Sequence, residues 1–563
     1  MVAAPAAPAT IVAGVSAALD TSRAVFVSAP TVVLAPADDD GAQLTAASVA
    51  VAIGAPVLLT GPDVPVPDVT AEVDRLGATQ VVAVGDVPVV GGLPVLAVPA
   101  GATGDELEAL TGLTFGESRE VEDKPGARVS AVEQLAPDTT AVLVAPGGAE
   151  AGEPSPAPSS SAPAPSAASS LSAPGSPASP SSAPSSSPGS TPSSALLAPS
   201  PSASAAAPLA AVVRPTAPAG LVALVGAGRA PLAALATVRA AGVPVVSVPG
   251  GDPRATSATV KAVAEAAPDA VIALGAGFGT PELLAARVAT ARTGVEVPGG
   301  GQLIFPEGDG VRGKRYVALY GTPGSKALGV LGEQSVAKTL VRAAKTAKPY
   351  RALTKDTVVP MVEIIATIAS ASAGKDKDYS RERPVSELRP LVEAAHRKGL
   401  AVVLDLQPGR TDFLTQAKRY APLLAMPNVG LALDPEWRLK KDQVHLRQIG
   451  SVKIGEVNRV ADWLADFTAE RHLPQKLFVL HQFSLSMVSD RGALDTSHDE
   501  LAMLIHVDGQ GTQPAKAGTW NALRAGAPDV HWGWKNFYDE DKPMLSPKKT
   551  YKIAPKPDLV TYQ

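Results

Sequence analysis

The chain has 563 residues, 45% of them apolar, with no cysteine and a formal net charge of −5. That length allows two or three domains with sizeable cores, while the missing cysteines exclude disulfides and thiolate metal sites. The charge argues against a nucleic-acid partner, which would require a basic face. No apolar run reaches the ~18–20 residues of a transmembrane helix, and no basic residue precedes Arg23, so the charged start of a signal peptide is not visible.

In chain order, "TVVLAP" (31–36) reads as a buried strand. The stretch 53–86 then reads as strand, Pro/Asp loop, amphipathic helix and a second strand ending in Gly. Residues 151–208 form a Ser/Pro/Ala tract with almost no charge and no aromatic residue. Such a segment cannot bury enough surface to offset its ordering entropy, so disorder is expected; as a coil it would span roughly 40 Å. After it, "GLVALVG" (220–226) and the stretch 241–277 repeat the earlier pattern. Alternating βα units predict a parallel sheet flanked by helices, Rossmann-like, and two copies of an internal repeat.

Two glycine turns, "VGAGRAP" (225–231) and "LGAGFGTPE" (274–282), each follow a strand and open a helix. A dinucleotide site would want a third glycine where Pro231 stands. The second turn reads as a cap, with Thr280 at the N-cap and Pro281 at the first helical position. Both are taken as structural turns.

The segments "DDDGAQLTAASVAVAIGAPVLLT" (38–60) and "RLGATQVVAVGD" (75–86) resemble the cell wall-binding repeat 2 family, with a degenerate second copy. The resemblance covers roughly residues 20–295 and implies a repeat region that holds anionic wall polymers, usually as three repeats about a pseudo-threefold axis.

All 5 Trp, 8 Tyr and 7 His lie after residue 315, so chemistry that needs imidazole or an aromatic platform belongs to the C-terminal half. Eight strand-like runs recur there, at 315–321, 358–366, 400–409, 429–435, 476–483, 501–509, 530–538 and 558–563. Amphipathic helices intervene, and the size is that of a (β/α)₈ TIM barrel. The resulting division is 1–150 and 209–300 for the two parts of the repeat region, 151–208 for the linker and 301–563 for the barrel. The helix "SVAKTLVRAAKTA" fits best after strand one.

A barrel places its active site at the C-terminal ends of its strands, and polar residues concentrate there. Glu363 lies on strand two, Asp405 and Gln407 on strand three, and Asp434 and Glu436 on strand four. His481 and Gln482 end strand five, His506 and Asp508 strand six, Lys535 and Asn536 strand seven, and Tyr562 strand eight. Side chains two apart on a strand point the same way, about 6–7 Å apart, so Asp434 and Glu436 are expected to share the mouth. Paired carboxylates are the machinery of glycoside hydrolysis, one protonated as acid and the other nucleophile or base. Glu436 is the first choice for the acid, with Asp434 or Asp508 as nucleophile or base and Asp405 and Glu363 as supporting groups. Trp437, His481, Gln482, His506, Trp534, Lys535, Asn536 and Tyr562 are the candidates for binding sugar. This chemistry needs no cofactor and no metal ion.

The Asp-x-Glu end of strand four is similar to that of some lysozyme-type barrels. The longer D-x-x-D-x-D-x-E pattern of chitinase-like barrels is incomplete here. The whole chain resembles uncharacterised actinobacterial wall-associated proteins that join wall-binding repeats to a barrel. The expectation is therefore a secreted or wall-associated protein whose partner is cell-wall polysaccharide or another glycan. A barrel that binds glycan without turnover, and a divalent-metal hydrolase using Glu363, Asp405, Asp434, His481, His506 and Asp508, stand beside the glycosidase reading.

Overall fold

The computed structural model describes residues 1–146 and 208–563, apart from 89, 138, 139, 213, 227 and 229. The Ser/Pro tract expected over 151–208 lies, except for Pro208, outside the described residues.

The N-terminal half holds two four-stranded sheets. One runs Val57–Thr60, Thr31–Pro36, Gln80–Val84, Val95–Val98; the other runs Val245–Val248, Leu221–Gly226, Ala270–Leu274, Ala9–Val12. Every pairing is parallel. The two orders match strand for strand, so the expected repeat is real, and its second sheet takes its last strand from the start of the chain. The central strands Thr31–Pro36, Gln80–Val84, Leu221–Gly226 and Ala270–Leu274 are Val, Leu and Ala runs buried almost throughout, as parallel sheets covered on both faces require.

A third strand–helix–strand unit, absent from the two-copy expectation, consists of Ser118–Glu120, the helix Pro125–Glu133 and Val142–Val144. The crossover helices of the three units, Asp40–Ile53, Pro125–Glu133 and Leu232–Ala240, pack on one another. Asp39 caps the first of these by accepting from the Ala42 N–H, and Gly54 ends it in the left-handed conformation at φ 71°. Small polar side chains on these helices complete neighbouring strands: Ser48 Oγ accepts from Leu143 N at 2.9 Å, and Thr237 Oγ1 from Val57 N at 3.0 Å. Thr280 accepts from Leu283 N at 3.3 Å, the capping role expected of the second glycine turn.

The C-terminal half is a closed barrel of eight parallel strands. In order they are Lys314–Gly321, Thr357–Ala369, Ala401–Leu406, Val429–Leu433, Lys476–Gln482, Leu501–Val507, His531–Asn536 and Leu559–Tyr562, with the eighth paired to the first. All eight expected strands are present. The helix Val336–Ala347 packs on strands one and two and so follows strand one, as its position predicts.

The segment 297–305 closes the barrel's N-terminal end. Val297 and Ile304 join the interior cluster of Tyr316, Ala318, Met361, Val403, Ala432 and Val479, and Phe305 stacks on His531 at 3.9 Å. The second N-terminal sheet docks at this same end. Asp499, just before strand six, takes ion pairs from Arg254 at 2.8 Å and Arg287 at 2.6 Å.

Candidate active site

Alternate residues of each barrel strand point inward. Above the apolar interior, each strand contributes one polar residue of the inward parity: Tyr320, Glu363, Asp405, Asp434, His481, His506, Lys535 and Thr561. Asp434 follows its strand directly. All eight are buried. Asp508 continues the parity of strand six, and Glu436 follows strand four in the single turn Pro435–Trp437. Asp508 is only 9% exposed, whereas Glu436 and Trp437 are half-buried.

Hydrogen bonds tie these residues into one network. His481 lies between two carboxyl groups, with Nε2 2.6 Å from Glu363 Oε1 and Nδ1 3.1 Å from Asp508 Oδ2. Burial disfavours the imidazolium, but Glu363 and Asp508 outweigh it and hold His481 well above its ordinary value. Both ring nitrogens therefore donate. Thr561 donates to Glu363 Oε2 at 3.3 Å and lies 2.8 Å from His506 Nε2. Burial, with His481 and Lys535 nearby, keeps His506 well below its ordinary value and so neutral. Tyr320 OH donates to Asp405 Oδ2 at 2.7 Å, and Lys535 Nζ sits 3.8 Å from the Tyr320 ring centre.

The carboxyl groups are driven apart. Burial pushes Glu436 up to about 7, with Asp508 adding to the rise and Lys535 and His481 opposing it. Burial pushes Asp405 up to about 6 against the pull of His481. Asp434 is held well above the usual carboxyl range by burial, then by Glu436 and Asp405. Burial would raise Asp508 too, but the hydrogen bond and charge of His481, with Lys535, hold it below its ordinary value. Asp508 is thus held below its ordinary value while Glu436, Asp405 and Asp434 are all raised above theirs.

Several buried polar atoms of the mouth have no protein partner: Asp405 Oδ1, Asp434 Oδ1, Asp508 Oδ1, His506 Nδ1 and Trp437 Nε1. Buried polar atoms are ordinarily satisfied, so this set marks where a hydroxyl-rich ligand would find partners.

Of the residues expected here, Glu363, Asp405, Asp434, Glu436, His481, His506, Asp508 and Lys535 converge, while the ring of Trp437, next to Glu436 in the same turn, packs on His445 at 5.3 Å. Four expected sugar contacts, Gln482, Trp534, Asn536 and Tyr562, do not face the mouth. Gln482 donates to Ser484 O at 3.0 Å and accepts from Arg491 at 3.1 Å. Trp534 packs on Trp520 behind the barrel wall and donates to Asn536 Oδ1 at 3.0 Å. Tyr562 OH lies 2.6 Å from Tyr350 OH in the layer between strands and helices. The reason is parity: these four occupy the outward positions of their strands. Tyr320 and Thr561 were missed, although the two-residue period from Tyr316 and Leu559 points to both.

Among the described residues, groups of three side chains whose ligating atoms lie within 4.8 Å of one another occur at Asp376, Asp378 and Glu382 and at Asp462, Asp495 and His498. Neither group includes a residue of the mouth.

No family model matches the chain, and no curated protein matches it. Among solved structures, the chain is similar to Cwp6 from Clostridium difficile at 11% identity and TM-score 0.30, over 71% of this chain and 63% of that one. It is also similar to the xylanase-A-amylase inhibitor protein XAIP-III at 14% identity and TM-score 0.28, over 44% of this chain and 93% of that one. The chain therefore spans 63% of the length of Cwp6. At these scores neither likeness assigns an activity.

Proposed function

We propose that the barrel hydrolyses a glycosidic bond of a cell-envelope polysaccharide, with Glu436 as proton donor and Asp508 as the ionised base or nucleophile. One observation carries this reading: two carboxyl groups at one mouth are pushed in opposite directions, Glu436 up to about 7 and Asp508 below its ordinary value. That divergence is the division of labour that acid–base cleavage of a glycoside needs.

Glu436 gives its proton to the leaving oxygen. Asp508, oriented through Oδ2 by His481, offers its unmatched Oδ1 to the sugar or to a water. Asp434, which burial holds well above the usual carboxyl range, and Asp405 supply further unmatched oxygens for sugar hydroxyls. Trp437, beside Glu436, offers an unmatched indole N–H. Glu363 is a positioning residue, because it acts through His481. The metal-dependent alternative is the weaker one, since both nitrogens of His481 are already engaged by carboxyl groups. Binding without turnover accounts for the unmatched atoms but not for the split between Glu436 and Asp508.

In the same reading the three N-terminal units hold the envelope polymer and the tract over 151–208 links the two parts. A cavity of about 550 Å³ supports this, lined by Asp38, Gln43, Pro125, Arg128 and Pro231 at the starting ends of the three crossover helices.

The test is release of reducing ends from purified cell walls. The wild-type chain is expected to release them, and Glu436→Gln, nearly isosteric, to lose at least about a hundredfold in rate with an unchanged circular dichroism spectrum. Equal rates for the two proteins would remove Glu436 from the chemistry.

A further inference from the structure

A second cavity, of about 600 Å³, opens on the same face of the barrel, between the loops that follow strands three and four and the start of the helix Ile454–Ala469. Arg410, Arg438, Lys440, Lys441, Lys453 and Arg459 line it, against only two acids, Glu456 and Asp490. This concentration of positive charge sits in a chain whose formal net charge is −5.

The charges are not cancelled locally. Glu456 is committed to Arg438 at 2.9 Å. Arg410 donates to Gln443 O at 2.9 Å and stacks over Tyr379 at 4.5 Å, which fixes its direction without neutralising it. Arg459 donates to the backbone of Gly455 at 2.9 Å. Lys440, Lys441 and Lys453 are exposed and have no ion pair among the described residues. The helix begins at Lys453 with no side-chain cap, so its first-turn N–H groups add to the positive field.

The cavity adjoins the candidate active site. Arg438 lies two residues beyond Glu436, and Leu439 N donates to Gly409 O at 2.7 Å, joining the two loops. A cleft lined by one sign of charge concentrates ligands of the opposite sign.

We propose that this cavity is an anion subsite that receives phosphate or carboxylate groups repeated along the chain of an acidic glycan. As a statement of substrate class it rests on the hydrolytic reading above; as a binding site it stands alone. The mouth cleaves, and the basic cavity holds the charged neighbour of the cleaved sugar.

The experiment uses the full chain carrying Glu436→Gln, so that nothing turns over, and isothermal titration at low salt. The probes are tripolyphosphate, a hexamer of galacturonate and neutral maltohexaose. At least one anionic probe is expected to bind. Its affinity is expected to fall at least tenfold in Lys440→Ala/Lys441→Ala/Lys453→Ala, to vanish in 1 M NaCl, and to be unchanged in the control Lys548→Ala/Lys549→Ala, which removes exposed lysines elsewhere. Binding of tripolyphosphate alone assigns phosphate, and of the galacturonate hexamer alone, carboxylate. Binding of both assigns recognition by charge. The proposal is overturned if neither anion binds, if the triple variant binds as before, or if the control loses as much. Failure of the hydrolytic reading shows separately, as absent reducing ends from the wild-type chain, and leaves this titration unaffected.

Discussion

Asp508 and Glu436 have similar carboxyl groups in the same mouth, and what separates them is a single imidazole. His481 donates to Asp508 and stabilises its charge, whereas Glu436 is raised by its burial and by Asp508, and Lys535 and His481 oppose that only in part. Replacing His481 with Gln removes that positive charge. The carboxyl of Asp508 is then expected to rise, because burial is no longer opposed by an imidazolium. Since Asp508 must be ionised, activity would begin to fail at a higher pH as the solution is acidified. The acidic limb of a rate–pH profile should move up by about one pH unit or more. An unmoved limb in a folded His481→Gln protein would show that His481 does not set the state of Asp508.

At the scale of the element, the strand decides which residues meet. Glycine at position 533 lies inward on strand seven, where a Cβ would sit 2.4 Å from the His506 ring. That ring is buried and held by Thr561, so it cannot move away cheaply. Gly533→Ala is expected to destabilise the barrel by about 1–3 kcal/mol, read as a lower urea midpoint with unchanged slope; an unchanged midpoint would mean that the layer can repack. The same alternation explains what could be read in the sequence. Asp405, Asp434 and His481 stand out as polar residues closing apolar runs, and Glu363 as the one charge inside another, so their convergence was legible. Strand seven, "HWGWKN", carries polar or aromatic residues on both faces, and only counting in twos from Gly533 separates inward Lys535 from outward Trp534 and Asn536. The third N-terminal unit was not legible because Ser118–Glu120 is short, polar and exposed, which leaves no hydrophobic period to read.

At the scale of the whole molecule, the two halves meet at the barrel's N-terminal end. The ion pairs of Arg254 and Arg287 with Asp499, and the segment 297–305, occupy that end. The carboxyl groups and the basic cavity occupy the other, so an envelope polymer held by the N-terminal units would not have to compete with substrate for the mouth. The uneven spread of aromatic residues and histidines already pointed to the C-terminal half as the place where imidazole and aromatic side chains could meet. The docking was not legible, because single charged residues far apart in sequence carry no periodic signal. The most direct measurement of the central claim is the pH dependence of kcat/KM for hydrolysis of purified wall glycan by the wild-type chain. A bell is expected: activity falls as pH rises through about 7, where Glu436 loses its proton, and falls again only below the ordinary aspartate range, where Asp508 gains one. A rate that holds steady from pH 5 to 9 would contradict the account.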